Sequence, residues 1–142
     1  MAQRGNIWCF GHNAALDFNG GTPVPISSSV ISRGSCVSVA DNNGDLLFYA
    51  HTRSGVAGST TGLVYNSINQ FLLNGDSIAG DGWYQEMTII PNPVDDSSYY
   101  LFSIGVTIPF GLMYSMIDMR GDGGLGAVTQ KNVQLLNMLM VD

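Results

Sequence analysis

The chain has 142 residues, 45% of them hydrophobic and only 11% charged, and eleven acids against five bases give a net charge of −6. That length suffices for one domain with a real core. The basic residues Arg4, Arg33, Arg53, Arg120 and Lys131 are scattered, which argues against nucleic-acid binding, because phosphate neutralisation needs clustered cations. No apolar run approaches the ~20 residues of a membrane span.

Eighteen glycines with six Phe, six Tyr and two Trp suit many short strands joined by tight turns. Helices would need more Lys, Glu and Arg for their outer faces. No apolar stretch follows Arg4, so the start does not read as a signal peptide. Either the chain stays inside the cell, or its natural start lies elsewhere.

Asn6–Gly11 (N-I-W-C-F-G) is a short apolar run closed by Gly, an expected strand. Ala14–Ile26 is punctuated by Asp17, Asn19, Gly20, Gly21, Pro23 and Pro25 and reads as a loop. Ser35–Asp41 and Asp45–His51 are two strand runs separated by Asn42-Asn43-Gly44, a strong hairpin signal because Asn and Gly tolerate positive φ. Thr52–Thr61 is a Gly/Ser/Thr loop. Gly62–Asn66 is a short strand, followed by polar Asn74–Gly82. Glu86–Pro91 is a strand ended by proline. Ser98–Val106 and Leu112–Met119 read as an antiparallel pair, Arg120–Gly126 as a loop, and Asn132–Leu136 as the start of a further strand. Cys9 and Cys36 each sit in an apolar run. Two buried small hydrophobes are the favoured reading, and one disulfide is the alternative.

Three stretches match later ones in order. Gly62–Asn69 lines up with Gly111–Asp118 at offset 49, Leu46–Tyr49 with Tyr99–Phe102 at offset 53, and Ser38–Asp41 with Thr88–Pro91 at offset 50. Each unit is strand, turn, strand, loop, strand, about fifty residues long, which fits a propeller blade. Leu46–Ala50, Tyr99–Ile104 and Leu112–Ile117 are apolar on both faces, as expected of sheets stacked between other sheets. The expected fold is all-β, with about two antiparallel propeller-like blades (units 35–82 and 86–136). Together, residues 1–142 form a single partial propeller-like domain, read as a fragment of a longer chain.

The same residues carry a family resemblance. Asn6–Gly11 with Ala15–Asn19 resembles the opening of large secreted Bacteroidota proteins, the gliding-motility-associated or type IX-secreted surface proteins with a propeller-like N-terminal region. Ser38–Tyr49 is similar to that region's next block, Ile89–Pro93 with Tyr99–Phe102 to the third, and Leu112–Met119 with Gly123–Gly126 and Lys131–Val133 to the fourth. His51–Gln85 departs from the pattern. The resemblance implies export and a secreted or cell-surface location, and it supplies no functional residues.

Candidate sites are few. Asp41, Asn43 and Asp45 have the D-x-N-x-D spacing of a calcium loop, but Gly44 comes too early and Thr52 stands where Glu is needed. A hairpin turn capped by its own Asx side chains is the favoured alternative. Arg120-Gly121-Asp122 is the integrin-recognition tripeptide and reads as a polar turn. Gly121–Gly126 has no following helix to cradle a phosphate. Cys9, His12 and Asp17 have no elbow that would orient a nucleophile. His51 stands alone, so no zinc site is expected. Glu86 is the sole glutamate, and nothing pairs Asp81, Asp95 or Asp96 for glycosidase work. Trp83 and Tyr84, in a Gly-rich stretch, are the binding candidates, and Trp8 is a third aromatic to watch, since exposed aromatics stack on sugars or anchor proteins.

These residues predict no catalytic group, no cofactor and no metal beyond the weak Asp41, Asn43, Asp45 set. The expected function is a non-enzymatic, adhesin-like structural or interaction module. Its expected partners are a glycan, a protein surface, further blades or a second copy. The alternative is part of a glycan-active hydrolase completed by further blades; a third reading is an independent intracellular β protein.

Overall fold

A computed structural model describes residues 3–53, 55, 56, 58–82, 85–107 and 109–137. The fold is all-β, with no α-helix among the described residues; its one helical turn is a 3-10 segment at Asp122–Gly124. Ten strands form three antiparallel sheets. Sheet I has the order β1-β2-β3, from Ile7–Phe10, His12–Asp17 and Val24–Ile31. Sheet II is β4-β5-β6, from Cys36–Ala40, Leu46–Thr52 and Gly62–Asn66. Sheet III is β10-β9-β8-β7, from Met87–Pro91 (β7), Ser98–Ile104 (β8), Gly111–Asp118 (β9) and Ala127–Asn137 (β10).

One stretch departs from the sequence reading. The loop expected over Ala14–Ile26 instead holds most of β2 and the start of β3. Only residues 18–23 form its turn, where Asp17 Oδ1 accepts from Asn19 N at 2.8 Å. Pro25 is tolerated because β3 lies at the edge of its sheet, where a missing N–H costs no ladder bond.

Sheet II is the middle layer. Val39, Phe48, Ala50 and Val64 face sheet III, meeting Met87, Tyr99, Leu101 and Ile117 in the main core. Tyr49 and Ala40 face the other way, onto Ile7, Cys9, Ala15 and Val30 of sheet I. Both faces of sheet II are therefore covered, which is why β5 shows no alternation of apolar and polar residues.

Hydrogen bonds reveal how the two repeated sheets correspond. In sheet II, Thr52 N donates to Ser35 O and Arg53 N to Thr61 O. In sheet III, Ile104 N donates to Glu86 O and Gly105 N to Gly111 O in the same places. Asp41 N bonds Asp45 O as Asn92 N bonds Ser98 O. Superposing these bonds matches Ser35 with Glu86, Thr52 with Ile104 and Thr61 with Gly111, offsets of 51, 52 and 50. Each is one residue away from the sequence-matched offset of 50, 53 or 49; only Asp45 and Ser98, beyond the register shift at Val39/Ala40, keep the offset of 53.

That single residue matters, because a one-residue slip turns every side chain to the opposite face. By the hydrogen bonds, Val39, Phe48 and Val64 correspond to Ile90, Tyr100 and Tyr114, on the far side of sheet III. Sheets II and III thus stack head to tail, with the front of one on the back of the next. Strands β4 and β7 run the same way: Ser35 Oγ accepts from Glu86 N at one end, and Asp41 and Tyr99 line one groove at the other.

Sheet I does not repeat this relation. Ala40 N donates to Arg4 O, while Ser38 Oγ donates to Ile7 O (2.7 Å) and accepts from Cys9 N. Strand β1 therefore runs against β4. No closed ring of sheets is formed.

Candidate functional site

The outer face of sheet III is the first functional candidate. Strands β8 and β9 alternate strictly: Tyr99, Leu101, Ser103, Met113, Ser115 and Ile117 turn inward and are buried. Their neighbours Tyr100, Phe102, Leu112, Tyr114 and Met116 turn outward and are half-buried. Tyr100 meets Tyr114 edge-on, with ring centroids 5.7 Å apart, and Phe102 lies 6.0 Å from Tyr100 and 6.4 Å from Tyr114. Ile90 and Leu136 extend this surface on either side, 48% and 50% exposed. Charge enters at one end, where Arg120 is held by Asp118 at 2.8 Å and Asp95 at 2.9 Å. A contiguous apolar surface of this kind is a candidate contact site.

A second candidate is a charged groove of about 230 Å³ at the turn end of sheets II and III, lined by Arg4, Asp41, Asp96, Tyr99 and Arg120 among others. It includes part of the D-x-N-x-D segment, which is a hairpin turn. Asp41 Oδ1 accepts from Asn43 N (2.8 Å) and Asp45 N (2.9 Å), and Oδ2 accepts from Asn43 Nδ2 (3.3 Å). Those N–H groups hold the Asp41 carboxyl below the usual carboxylate range. A carboxylate that caps its own turn has few lone pairs left for a metal.

Among the described residues, the other sequence candidates are spread over all three sheets. His12 is exposed on β2, while Cys9 faces away from it into the core between sheets I and II. Cys9 and Cys36 are both free thiols, and burial pushes the Cys9 thiol up to about 12. Asp17 caps its turn. Arg120, in the Arg-Gly-Asp tripeptide, is tied down by Asp118 and Asp95, and its pKa is pushed up by those carboxylates. Asp96 is exposed. Trp8 is 56% exposed on the outer face of sheet I, its indole N–H bonded to Gly5 O and its ring 5.1 Å from Phe18. The Trp83–Tyr84 pair lies outside the described residues. His51 is fully buried, stacked at 5.6 Å on Tyr65, and burial lowers its pKa.

One cluster escaped the sequence reading. Asp81 and Glu86 are both buried, and Asp81 N donates to Glu86 Oε2 at 3.0 Å. Asp81 Oδ2 accepts from Val106 N at 2.8 Å, and Ser59 Oγ lies 3.5 Å from both Asp81 oxygens and in contact with Thr107 Oγ1. Desolvation, with Asp81 nearby, raises the Glu86 carboxyl above its usual range. Only a short polar spacing in a Gly-rich segment hinted at this pairing.

No family model, curated protein or solved structure matches the chain.

Proposed function

We propose that the chain is a non-enzymatic structural and interaction module, a run of stacked sheets of a propeller-like array. The resemblance to secreted Bacteroidota surface proteins favours an adhesin-like role outside the cell. The observation that carries the reading is the head-to-tail relation of sheets II and III. The positions that sheet II uses to bind sheet III recur on sheet III as its bare aromatic face. Head-to-tail stacking leaves a free face at each end unless it closes into a ring. The face is shaped for a further meander sheet presenting residues of the Met87, Leu101 and Ile117 kind; a second copy, whose own such residues are buried against its sheet II, would cover it with its own outer face.

The hydrolase alternative is less well supported. It needs an acid and a base facing one cleft. Asp95 is engaged by Arg120, and Asp81 and Glu86 are bound into the backbone.

Sedimentation velocity and ANS fluorescence test the proposal on wild type and Tyr114→Asp. Wild type should associate with rising concentration and brighten ANS. The variant, whose side chain lies outside the core, should stay folded, monomeric and dim. A wild-type monomer that leaves ANS dark would overturn the proposal.

A further inference from the structure

A pocket of about 250 Å³ lies where the end of sheet I meets the β6 side of sheet II. Alternation along β5 puts His51 on the same face as Tyr49, which turns to sheet I, and Tyr65 lies directly across from Tyr49. Leu63 pairs with His51 and completes the floor. Ile31 enters from the end of β3, where it pairs with His12, and Phe71 is bridged by its backbone to Tyr65. Backbone pairing therefore places each of these residues.

The walls are aromatic and aliphatic. Tyr65 is stacked between Tyr49 and Phe71, with ring centroids 5.4 and 4.7 Å away, and the column ends on Phe71, 60% exposed. One polar atom breaks the apolar lining. His51 is 1% exposed, and its Nε2 has no hydrogen-bond partner in the protein. Its Nδ1 lies 3.3 Å from Thr52 O. A carbonyl oxygen only accepts, so Nδ1 carries the ring proton, and burial, which lowers the His51 pKa, keeps the ring neutral. With Nδ1 turned to the backbone, the ring edge left for the pocket carries Nε2 as a bare acceptor. Buried acceptors are normally satisfied, so this one calls for an O–H or N–H donor from outside the chain. Half-buried Arg53 lines the same pocket. Its Nε donates to Thr61 O at 3.3 Å, and among the described residues no carboxylate pairs with its guanidinium.

We infer that this pocket binds a small planar aromatic molecule that carries a hydroxyl and an anionic group, a hydroxyaryl carboxylate. Its ring lies against Tyr65 and Phe71, its hydroxyl donates to His51 Nε2, and its carboxylate is taken by Arg53. Mostly apolar walls with a few placed polar groups are the usual make-up of a small-molecule site. The volume is below the roughly 300–1,000 Å³ of drug-sized pockets, so a single ring is the right scale. A sugar ring suits the walls less well. Ile31 and Leu63 offer its hydroxyls no partner, and each hydroxyl buried unpaired is costly. The site is separate from the outer face of sheet III, and its test does not depend on association through that face.

The experiment is an NMR titration of the full chain with 4-hydroxybenzoate, phenol, anisole and methyl glucoside. Wild type should bind 4-hydroxybenzoate with a Kd of about 1 mM, as a ligand this small allows, with shifts centred on His51, Leu63 and Tyr65. Anisole, which has no donor, should bind about tenfold more weakly than phenol. Arg53→Gln should weaken 4-hydroxybenzoate and leave phenol unchanged. His51→Phe should erase the preference for phenol over anisole. Phe71→Ala, at an exposed position, serves if the His51 variant fails to fold, and should weaken every aromatic ligand. Absence of 4-hydroxybenzoate binding by wild type at ~10 mM would sink the proposal. So would equal affinity for phenol and anisole, or shifts centred away from His51. Methyl glucoside binding more tightly than phenol would overturn the choice of ligand.

Discussion

Phe48 and Tyr100 occupy equivalent places in two successive sheets, yet truncating them should have very different consequences. Phe48 is 0% exposed and meets Tyr99 edge-on, with ring centroids 5.4 Å apart. Phe48→Ala leaves a cavity in the main core, and its cost is about 3–5 kcal/mol. The lost ring pair belongs within that range. With a urea slope of about 1–3 kcal/mol per molar, the midpoint should fall by at least about 1 M. Total stability for a domain of this kind is ~5–15 kcal/mol, so the variant should be marginal. Tyr100→Ala removes a half-buried ring that pairs with Phe102 and Tyr114 on the outer face of sheet III. Its cost should stay below about 1 kcal/mol, as for surface changes generally. Urea unfolding at low protein concentration, followed by far-UV circular dichroism, measures both. Equal costs would refute the head-to-tail correspondence, because they would mean that both residues lie in a core. A Tyr100→Ala cost that grows with protein concentration would mean that a second copy covers the face.

Two further outcomes follow from local geometry. Gly44 closes the β4–β5 hairpin at φ +94°, and a Cβ there would sit 2.0 Å from Asn19 Oδ1. Gly44→Ala should therefore cost about 1–3 kcal/mol from backbone strain alone, visible as a lower melting temperature; an unchanged melting temperature would contradict the turn geometry. The Cys9 thiol, raised from 9.0 to about 12 by burial, should resist alkylation at pH 8 in the folded chain while the half-buried Cys36 reacts first. Because its folded pKa is raised, its contribution to stability is complete below about pH 9 and is lost as the pH climbs toward 12. Equal labelling of both cysteines would show that sheet II does not cover Cys9.

Much of the fold is legible in the sequence because the punctuation is chemical. Asn43-Gly44 marks its hairpin and Pro91 ends β7; the Gly62–Asn66 bounds coincide with those of β6. The misread segment, Ala14–Ile26, shows the limit of that reasoning. Pro25 signals a loop only if the strand holding it is central, and edge position is a property of the sheet. Of the candidate site, the bare face was partly visible in the doubly apolar strands. The Asp81–Glu86 pair was not, since contact across a loop leaves no periodic trace.

The sequence by itself determined that this is a β protein of short strands and tight turns, with a unit of about fifty residues that recurs. Gly, Asn and Pro act locally, and alternation acts over a few residues, so neither needs the rest of the molecule. Only the tertiary structure decided the register of that recurrence. Strands apolar on both faces match almost as well when slipped by one residue, so side-chain pattern cannot choose between faces. Backbone hydrogen bonds can, because each N–H points to a definite neighbouring strand. That choice places Tyr100, Phe102 and Tyr114 on the outer face of sheet III.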